Sequence, residues 1–327
     1  MTHLGRKRGE HFNAETIDGA VSLLGEYMEE ARIIAGGVDL VSLMKNRVVT
    51  PRVLVNIKTI PDLAYIREDA EGVEIGTLAT INEIETSGII RGKYPMLAEA
   101  AHSVAAPQIR NMATIGGNLC QQVRCWYYRR SPVTGRTFFC RRKGGKHCYA
   151  DTGENTHHAI FNRKVCAAVC PSDLTPALVV LEAKVKIASP DGERVVSIED
   201  FYTSLGNILE PDDMITEIQI PTPRPGTKQR FLKFRLRKAI DFAISSVAAA
   251  ITIESGVVSD ARIALGGVAP IPYRALRAEE VLKGEMITES VAETSAKVAV
   301  SNAVPLSLNS HKVTITKALV KRAVVNC

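Results

Sequence analysis

The sequence lacks a membrane-spanning run, an export signal and a C-x-x-C pair. No stretch approaches the roughly 18 apolar residues of a transmembrane helix. No apolar segment follows the basic start MTHLGRKRGEHF, as it would in a signal peptide. We therefore expect no membrane association and a cytoplasmic compartment, or the periplasm if a partner subunit carries the export signal.

A disulfide framework is also not indicated. The seven cysteines are an odd number in a chain without an export signal, which favours a reducing compartment. Hydrophobic residues make up 46% of the 327 residues and charged residues 23%. That balance is typical of a globular chain, and the length allows two or three packing units.

Acidic residues are absent from Ala100 to Ala150. A window of this kind can neutralise an anionic cofactor or metal cluster, can attract an acidic partner, or can be a plain solvated loop. The basic residues inside it are Arg110, Arg124, Arg129, Arg130, Arg136, Arg141, Arg142, Lys143 and Lys146.

Four cysteines, Cys125, Cys140, Cys148 and Cys166, lie in a segment rich in glycine, basic residues and aromatics. Such a segment makes a poor core, but bonds from thiolates to an iron-sulfur cluster or a zinc ion can replace the missing hydrophobic burial. The spacings match neither of the common ferredoxin patterns. The cysteines alone therefore leave reduced, unligated thiols as an equal alternative.

Helices and strands alternate in the first third of the chain. We expect Asp18 to cap a helix through GAVSLLGEYMEEA. The other expected elements are a strand ARIIA, a helix DLVSLMKNR, strands over Val53 to Lys58 and Val73 to Thr80, and helices near Ile81 to Ile90 and Met96 to Ser103.

Regular helices and strands are predicted again after the cysteine segment. PSDLTPALVVLEAKVKIAS predicts a capped helix and a strand, MITEIQI predicts another strand, and VAAAITIES-G-VVSDARIALGGV predicts two strands around a turn. The segment Pro221 to Lys228, with three prolines and a glycine, predicts a domain boundary. The last fifty residues look mostly helical.

Two glycine pairs, Gly36-Gly37 and Gly116-Gly117, are candidate phosphate-binding turns. A glycine pair directly after a strand lets backbone N–H groups approach a phosphate, and the next helix adds its positive end. Neither pair belongs to a G-x-G-x-x-G or P-loop pattern, which excludes Rossmann and Walker sites. Each pair alone is more simply a tight turn. Together they suggest a diphosphate held from both sides, with polar residues nearby at Asp39, Thr114 and Asn118.

These residues carry a resemblance to a known family. The segments AGGVDLVSLMK, VNIKTIPDL, IGTLATINEIE, QIRNMATIGGN, PSDLTPALVVLEA, EDFY, KFRLRKAIDFAISSVAAA and ARIALGGVAPIPYRA occur in this order. They resemble the FAD-binding subunit of the xanthine dehydrogenase family of molybdenum hydroxylases, over about Phe12 to Val320. The resemblance implies an α+β fold. Residues 1–222 would form an FAD-binding domain of the vanillyl-alcohol oxidase and p-cresol methylhydroxylase type, with α/β subdomains of about 1–58 and 59–222. Residues 223–327 would form a C-terminal flavoprotein domain of antiparallel sheet and helices.

The resemblance also implies cofactor-binding residues. The first glycine turn and the second would hold the FAD diphosphate through backbone amides. Asp173 would lie close to the FAD, although a plain helix N-cap is the competing interpretation. Lys233 would approach the flavin, or else be a surface charge on a strand. The residues of the two turns are Ile33, Ile34, Ala35, Gly36, Gly37, Val38, Asp39, Leu40, Thr114, Ile115, Gly116, Gly117 and Asn118.

Most flavin subunits of the family lack the cysteine segment, here 120–170. It is similar to an insertion in the beta subunit of 4-hydroxybenzoyl-CoA reductase and in the FAD subunit of a bacterial periplasmic aldehyde oxidoreductase, each with an additional [4Fe-4S] cluster. By position the ligands would be Cys125, Cys140, Cys148 and Cys166, with Cys170 as an alternative to Cys166. Cys327 would be a bystander thiol. The histidines that could instead join a zinc site are His147, His157 and His158.

The implied function is electron transfer within a complex. A large subunit with a molybdenum cofactor would act on the organic substrate, and a small subunit with [2Fe-2S] clusters would pass electrons to the FAD, in a heterotrimer or its dimer. No side chain of this chain would be catalytic. The extra cluster favours a ferredoxin-like partner over NAD. The alternatives are a zinc-stabilised nucleic-acid-binding protein, suggested by basic residues among aromatics, and a stand-alone flavin oxidase.

Overall fold

A computed structural model describes residues 9–131, 135 and 137–327, so Arg136 of the acid-free window lies outside the described residues. The strands of this part of the chain are β1 Glu10–Asn13, β2 Ala31–Ile34, β3 Val53–Asn56, β4 Ile66–Glu68, β5 Gly72–Gly76, β6 Lys184–Ser189, β7 Gly192–Ser197, β8 Tyr202–Thr203, β9 Gly206–Asn207, β10 Met214–Pro221, β11 Thr227–Phe234, β12 Ser245–Glu254, β13 Val257–Gly266 and β14 Tyr273–Arg274.

Its α-helices are short except near the two ends of the chain. They are α1 Ile17–Tyr27, α2 Leu40–Lys45, α3 Ile81–Thr86, α4 Gly88–Lys93, α5 Pro95–Ser103, α6 Pro107–Arg110, α7 Ile115–Leu119, α8 Trp126–Arg129, α9 Leu174–Val180, α10 Ile198–Phe201, α11 Leu276–Leu282, α12 Glu289–Ala299 and α13 His311–Val325. In the described residues, none of these helices has the length and apolar character needed to cross a membrane.

The N-terminal unit is a three-stranded parallel sheet in the order β1-β3-β2. Helix α1 packs on this sheet through Ala20, Val21 and Leu24, which are buried. The expectation that Asp18 caps α1 is wrong. Thr16 is the N-cap, and its hydroxyl accepts the Gly19 N–H at 3.0 Å, because an N-cap side chain reaches the amide three residues ahead.

A five-stranded antiparallel sheet, in the order β4-β5-β10-β6-β7, forms the second unit. Its central strand β10 pairs with β5 on one side and β6 on the other. The strand expected over Val73 to Thr80 ends earlier, at Gly76. Thr80 instead caps α3, where its hydroxyl accepts the Glu83 N–H and the Glu83 carboxylate accepts the Thr80 N–H.

The helix expected near Ile81 to Ile90 is two helices. Ser87 ends α3 and caps α4, because its hydroxyl accepts the Ile90 N–H. Helix α5 covers the expected Met96 to Ser103 and buries most of its side chains against the helices α3, α4 and α9 and against strand β11. This helical layer is the part of the second unit that carries the second glycine turn.

The C-terminal unit is a four-stranded antiparallel sheet in the order β11-β12-β13-β14, covered by α11, α12 and α13. The expected hairpin and the helical last fifty residues are confirmed. Strand β10 ends at Pro221 in one sheet and β11 begins at Thr227 in the other. Phe231 and Ala248 nevertheless pack into the core of the second unit. The boundaries at 58/59 and 222/223 stay predictions.

The cysteine segment has little regular structure, as expected. Between Cys120 and Cys170 its described residues form α8 and two turns of 3₁₀ helix, Arg141–Lys143 and Tyr149–Asp151. Its last part is well packed, since Ile160 and Phe161 are buried in the core of the C-terminal unit. Phe161 stacks on Tyr273 with ring centroids 4.2 Å apart.

Candidate functional site

One cavity of about 680 Å³ brings the two glycine turns together. Its size is within the range of small-molecule and cofactor sites. Of the residues predicted to contact FAD, all line this cavity except Ile115 and Lys233. Ile115 is fully buried in the core of the second unit, so it supports the turn from behind.

The first turn begins where β2 ends. Gly36 approaches the backbone of the second turn so closely that a Cβ atom would lie 1.8 Å from the Met112 carbonyl oxygen. Gly37 has a φ of +69°, a conformation that favours glycine. Gly36 is therefore required by the approach of the two turns and Gly37 by its backbone conformation, and both line the cavity wall.

The second turn differs from the prediction, because it follows α6 rather than a strand. Gly116 and Gly117 lie in the first turn of the short helix α7, whose N-cap is Thr114. The Thr114 hydroxyl accepts the Gly117 N–H at 3.2 Å, and the Asn118 side-chain oxygen accepts the Ser172 hydroxyl at 2.6 Å. These bonds fix the turn against α9 and leave little freedom to the cavity wall.

Asp173 is the N-cap residue of α9 by position, but its side chain does not cap the helix. Ser172 takes that role, since its hydroxyl accepts the Thr175 N–H. The Asp173 carboxylate instead pairs with the Lys233 ammonium at 2.6 Å, and both side chains are buried. Burial raises the pKa of Asp173, and the positive charges of Lys233 and Arg235 oppose this shift.

Lys233 is thus neither a surface charge nor part of the cavity wall. Its ammonium also donates to the Ser103 carbonyl at 3.1 Å. Lys233 is connected to the cavity wall by its ion pair with Asp173, which lines the cavity. A second depression of about 420 Å³ lies on the other side of this ion pair and is lined by Lys233, Arg235 and His102.

The cavity has further lining residues that the sequence did not single out. Ile240, Asp241 and Phe242 come from the loop after β11, and Arg124 comes from the start of the cysteine segment. The Arg124 guanidinium lies 4.6 Å from the centroid of the Phe242 ring. Ile240 has a φ of +54°, which is unusual for a β-branched residue. The loop lies within the family segment KFRLRKAIDFAISSVAAA, but its strained backbone is not visible in a sequence.

Asp39 joins the first glycine turn to the cysteine segment. Its carboxylate accepts hydrogen bonds from the Gln122 N–H at 2.8 Å and the Arg129 guanidinium at 2.7 Å, and pairs with Arg124 at 2.8 Å. Burial lowers the pKa of Arg124 to about 10, although Asp39 opposes this shift. These bonds to Asp39 hold the beginning of the cysteine segment at the cavity wall.

All seven cysteines are free thiols in the structure. Cys140 and Cys166 are buried, and Cys125 and Cys148 are half-buried. Burial raises the pKa of Cys125 to about 12 and also raises that of Cys148; a Cys166 thiolate would add to both shifts. Cys140 adds to the shift of Cys125.

Cys170 has different surroundings. Burial raises its pKa to about 11, and its charged neighbours are Arg142 and Asp173. In the part of the chain that the structure describes, no three His, Cys, Asp or Glu side chains are placed to hold a metal ion. This applies equally to His147, His157 and His158 and to the four cysteines, so the zinc site and the four-cysteine ligand set both stay predictions.

Several basic side chains of the acid-free window organise the cysteine segment rather than face solvent. Arg142 donates to Cys166 Sγ at 3.3 Å and to the Leu205 carbonyl at 2.6 Å. Arg141 donates to the carbonyls of Lys164 and Val165. The interpretation of the acid-free window as a plain solvated loop therefore does not hold for these side chains.

A buried polar network attaches the same segment to the C-terminal unit. The Lys312 ammonium donates to the carbonyls of His157, His158 and Gly267 at 2.5 to 3.1 Å. Burial lowers the pKa of Lys312 to about 7. Asn155 is also fully buried, and its side-chain oxygen accepts the Leu308 N–H. The cysteine segment is thus held at both ends.

Comparisons with known proteins match this arrangement. The profile of the FAD binding domain in molybdopterin dehydrogenase matches residues 7–223, and that of the CO dehydrogenase flavoprotein C-terminal domain matches residues 230–326. This chain belongs to the FAD-binding subunits of the xanthine dehydrogenase and CO dehydrogenase family. The FAD-binding subunit is an oxidoreductase component of a molybdenum hydroxylase family complex.

Individual relatives cover most of the FAD-binding subunit. The carbon monoxide dehydrogenase medium chain of Hydrogenophaga pseudoflava is 28% identical over 97% of this chain and 96% of the relative. The aldehyde oxidoreductase FAD-binding subunit PaoB of Escherichia coli is 33% identical over 77% of this chain and 79% of the relative.

Solved structures agree with the sequence comparisons. A chain of carbon monoxide dehydrogenase from Hydrogenophaga pseudoflava superposes with a TM-score of 0.78 at 29% identity, covering 97% of this chain and 96% of that one. The expected α+β fold with an FAD-binding domain and a C-terminal flavoprotein domain is confirmed. These matches do not favour a zinc-stabilised nucleic-acid-binding protein or a stand-alone oxidase.

Proposed function

We propose that this FAD-binding subunit holds FAD in the 680 Å³ cavity and a [4Fe-4S] cluster on Cys125, Cys140, Cys148 and Cys166. It would work with a large subunit that carries the molybdenum cofactor and a small subunit that carries [2Fe-2S] clusters, in the cytoplasm. Bound FAD accepts electrons singly or in pairs, which lets it connect one-electron clusters to a terminal partner.

The observation that carries this proposal is the shared cavity of the two glycine turns. A flavin dinucleotide needs backbone donors for its diphosphate and apolar walls for its ring. The cavity offers both, with the turns around Gly37 and Gly117 on one part of its wall and Val104, Ile240 and Phe242 on another. The residues present therefore fit FAD, and no side chain needs to act as a general acid, base or nucleophile.

The cysteine segment fits an iron-sulfur cluster through the chemistry of its donors. Thiolates at Cys140 and Cys166 would raise the pKa of Cys125, and a Cys166 thiolate would also raise the pKa of Cys148, so each sulfur has another of the four nearby. Cys166 also accepts a hydrogen bond from Arg142. A cluster held by four thiolates is anionic, and hydrogen bonds and positive charges around its sulfurs raise its potential. This supports Cys166 over Cys170 as the fourth ligand.

Electrons would leave through a ferredoxin-like carrier. The cysteine segment exposes Trp126 and Phe139, and the Arg130 guanidinium lies 4.6 Å from the centroid of the Trp126 ring. An acidic one-electron carrier would be attracted to such a surface. A cluster held by the cysteine segment would supply one-electron transfer to this carrier.

The test is cofactor analysis of the anaerobically purified complex. We expect one FAD and about four irons with acid-labile sulfide per copy of this chain, beyond the iron of the small subunit. Cys125→Ser and Cys148→Ser should remove that iron and keep most of the flavin, while Cys327→Ser, at the far end of the chain, should change neither. Flavin without this iron would reduce the segment to a structural loop. Absence of flavin would overturn the assignment of the cavity.

A further inference from the structure

His158 lies against one of the four proposed ligands. Its Nε2 atom is 3.3 Å from Cys125 Sγ, and the residue is 6% exposed. The backbone of His158 is fixed from both directions. Its N–H donates to the Asn155 carbonyl at 2.9 Å, and its carbonyl accepts from Asn309 and Lys312, each at 3.0 Å. The backbone that carries the imidazole ring is therefore held in place by Asn155 and by the C-terminal unit.

The two ring nitrogens have unequal surroundings. Nδ1 is buried and has no hydrogen-bond partner among the described residues, whereas Nε2 faces Cys125 Sγ. A neutral imidazole carries one proton, and a buried N–H without an acceptor is destabilising. The proton therefore belongs on Nε2, with Cys125 Sγ as its acceptor. A sulfur bonded to iron is deprotonated and accepts such a bond well.

We propose that His158 is a positioning residue that donates its Nε2–H to the iron-bound sulfur of Cys125 and makes the cluster easier to reduce. The inference rests on the proposed [4Fe-4S] cluster. A reduced cluster places more negative charge on its sulfurs, so a hydrogen bond to a ligand sulfur stabilises the reduced form more than the oxidised form. The other candidate histidines, His147 and His157, are exposed and do not share this role.

The experiment compares His158→Leu with His158→Gln in the purified complex. The cluster potential is measured by redox titration followed by electron paramagnetic resonance, and iron is determined in each variant. We expect the Leu variant to shift the midpoint potential to a more negative value. The Gln variant, whose side-chain amide can donate from a similar position, should restore most of the shift. His157→Leu is the matched control and should leave the potential unchanged.

Each outcome separates the inference from the function on which it rests. A wild-type complex without this iron would refute the proposed cluster. Iron present in both variants with an unchanged potential would refute only the role of His158. If His158→Leu loses its iron, the comparison passes to His158→Gln and the shorter His158→Asn, and equal potentials would contradict the proposal. Iron loss in all three variants would show that His158 is needed to hold the cluster rather than to tune its potential, and would likewise overturn the proposal.

Discussion

A single methyl group at Gly36 would meet the Met112 carbonyl, because the two glycine turns touch there. The cavity wall is made of backbone in close contact with backbone, which leaves no flexible side chain to move aside. The sequence predicted that both glycine pairs face one site, and both pairs line the cavity. It could not show that Gly36 is needed for contact between the turns.

Gly36→Ala should therefore lower bound flavin several-fold and reduce the unfolding temperature. A Cβ atom 1.8 Å from the Met112 oxygen forces the turns apart. The control is Gly25→Ala inside α1, where a Cβ atom meets nothing within 4 Å. That change should keep the flavin and stabilise the helix by about 1 kcal/mol. Flavin absorbance per chain and thermal unfolding give both results.

Asp173 gives a second residue-scale prediction. Lys233→Met leaves a buried carboxylate without its ion pair, which typically costs about 3–5 kcal/mol. We expect a lower unfolding temperature and weaker flavin retention. The double variant Asp173→Leu with Lys233→Met removes both charges and should recover much of the stability. A single variant as stable as wild type would show that the pair does not support the cavity wall.

At the scale of elements, the sequence predicted most of the strands and helices but misplaced several of their ends. Asp18 looked like a cap because it precedes an apolar run, yet Thr16 has the side chain in reach of the Gly19 N–H. The strand after Val73 ended early because Thr80 caps α3. Contacts between distant elements were out of reach, since Asp39 and Arg129 are 90 positions apart.

Asp39 links α2 to the segment that leads into α8, so its removal should affect both proposed cofactor sites. Asp39→Ala leaves Arg124 and Arg129 without their carboxylate and should cost about 2 kcal/mol. We expect partial loss of flavin together with partial loss of iron. Glu280→Ala removes an exposed carboxylate that pairs with Lys283 at the surface and should change neither. Cofactor content and thermal unfolding of the complexes distinguish the two variants.

Over the whole molecule, the C-terminal unit holds the cysteine segment through Lys312. Its buried ammonium donates hydrogen bonds to three backbone carbonyls. This contact could not be predicted from the sequence, because a lysine near the start of a helix is usually exposed and two of its three partners lie 154 and 155 positions earlier.

Lys312→Met should destabilise the protein at pH 7 by about 1–3 kcal/mol, because three buried carbonyls lose their donor. Burial lowers the pKa of Lys312 to about 7 from 10.5. Between these values the unfolded chain holds a proton that the folded chain has lost, so wild-type stability rises with pH. The gap between wild type and variant should therefore widen from pH 7 to about pH 10. Thermal unfolding across this range measures it, and parallel curves would contradict the assignment.

Ile160 and Phe161 have a consequence for the order of folding. They complete the core of a unit whose sheet and helices come from residues synthesised later. The core of the C-terminal unit is therefore complete only when the end of the cysteine segment has packed against it. A chain in which that segment is still disordered presents an open hydrophobic surface to chaperones and proteases. We expect copies without this packing to be degraded faster than the folded chain.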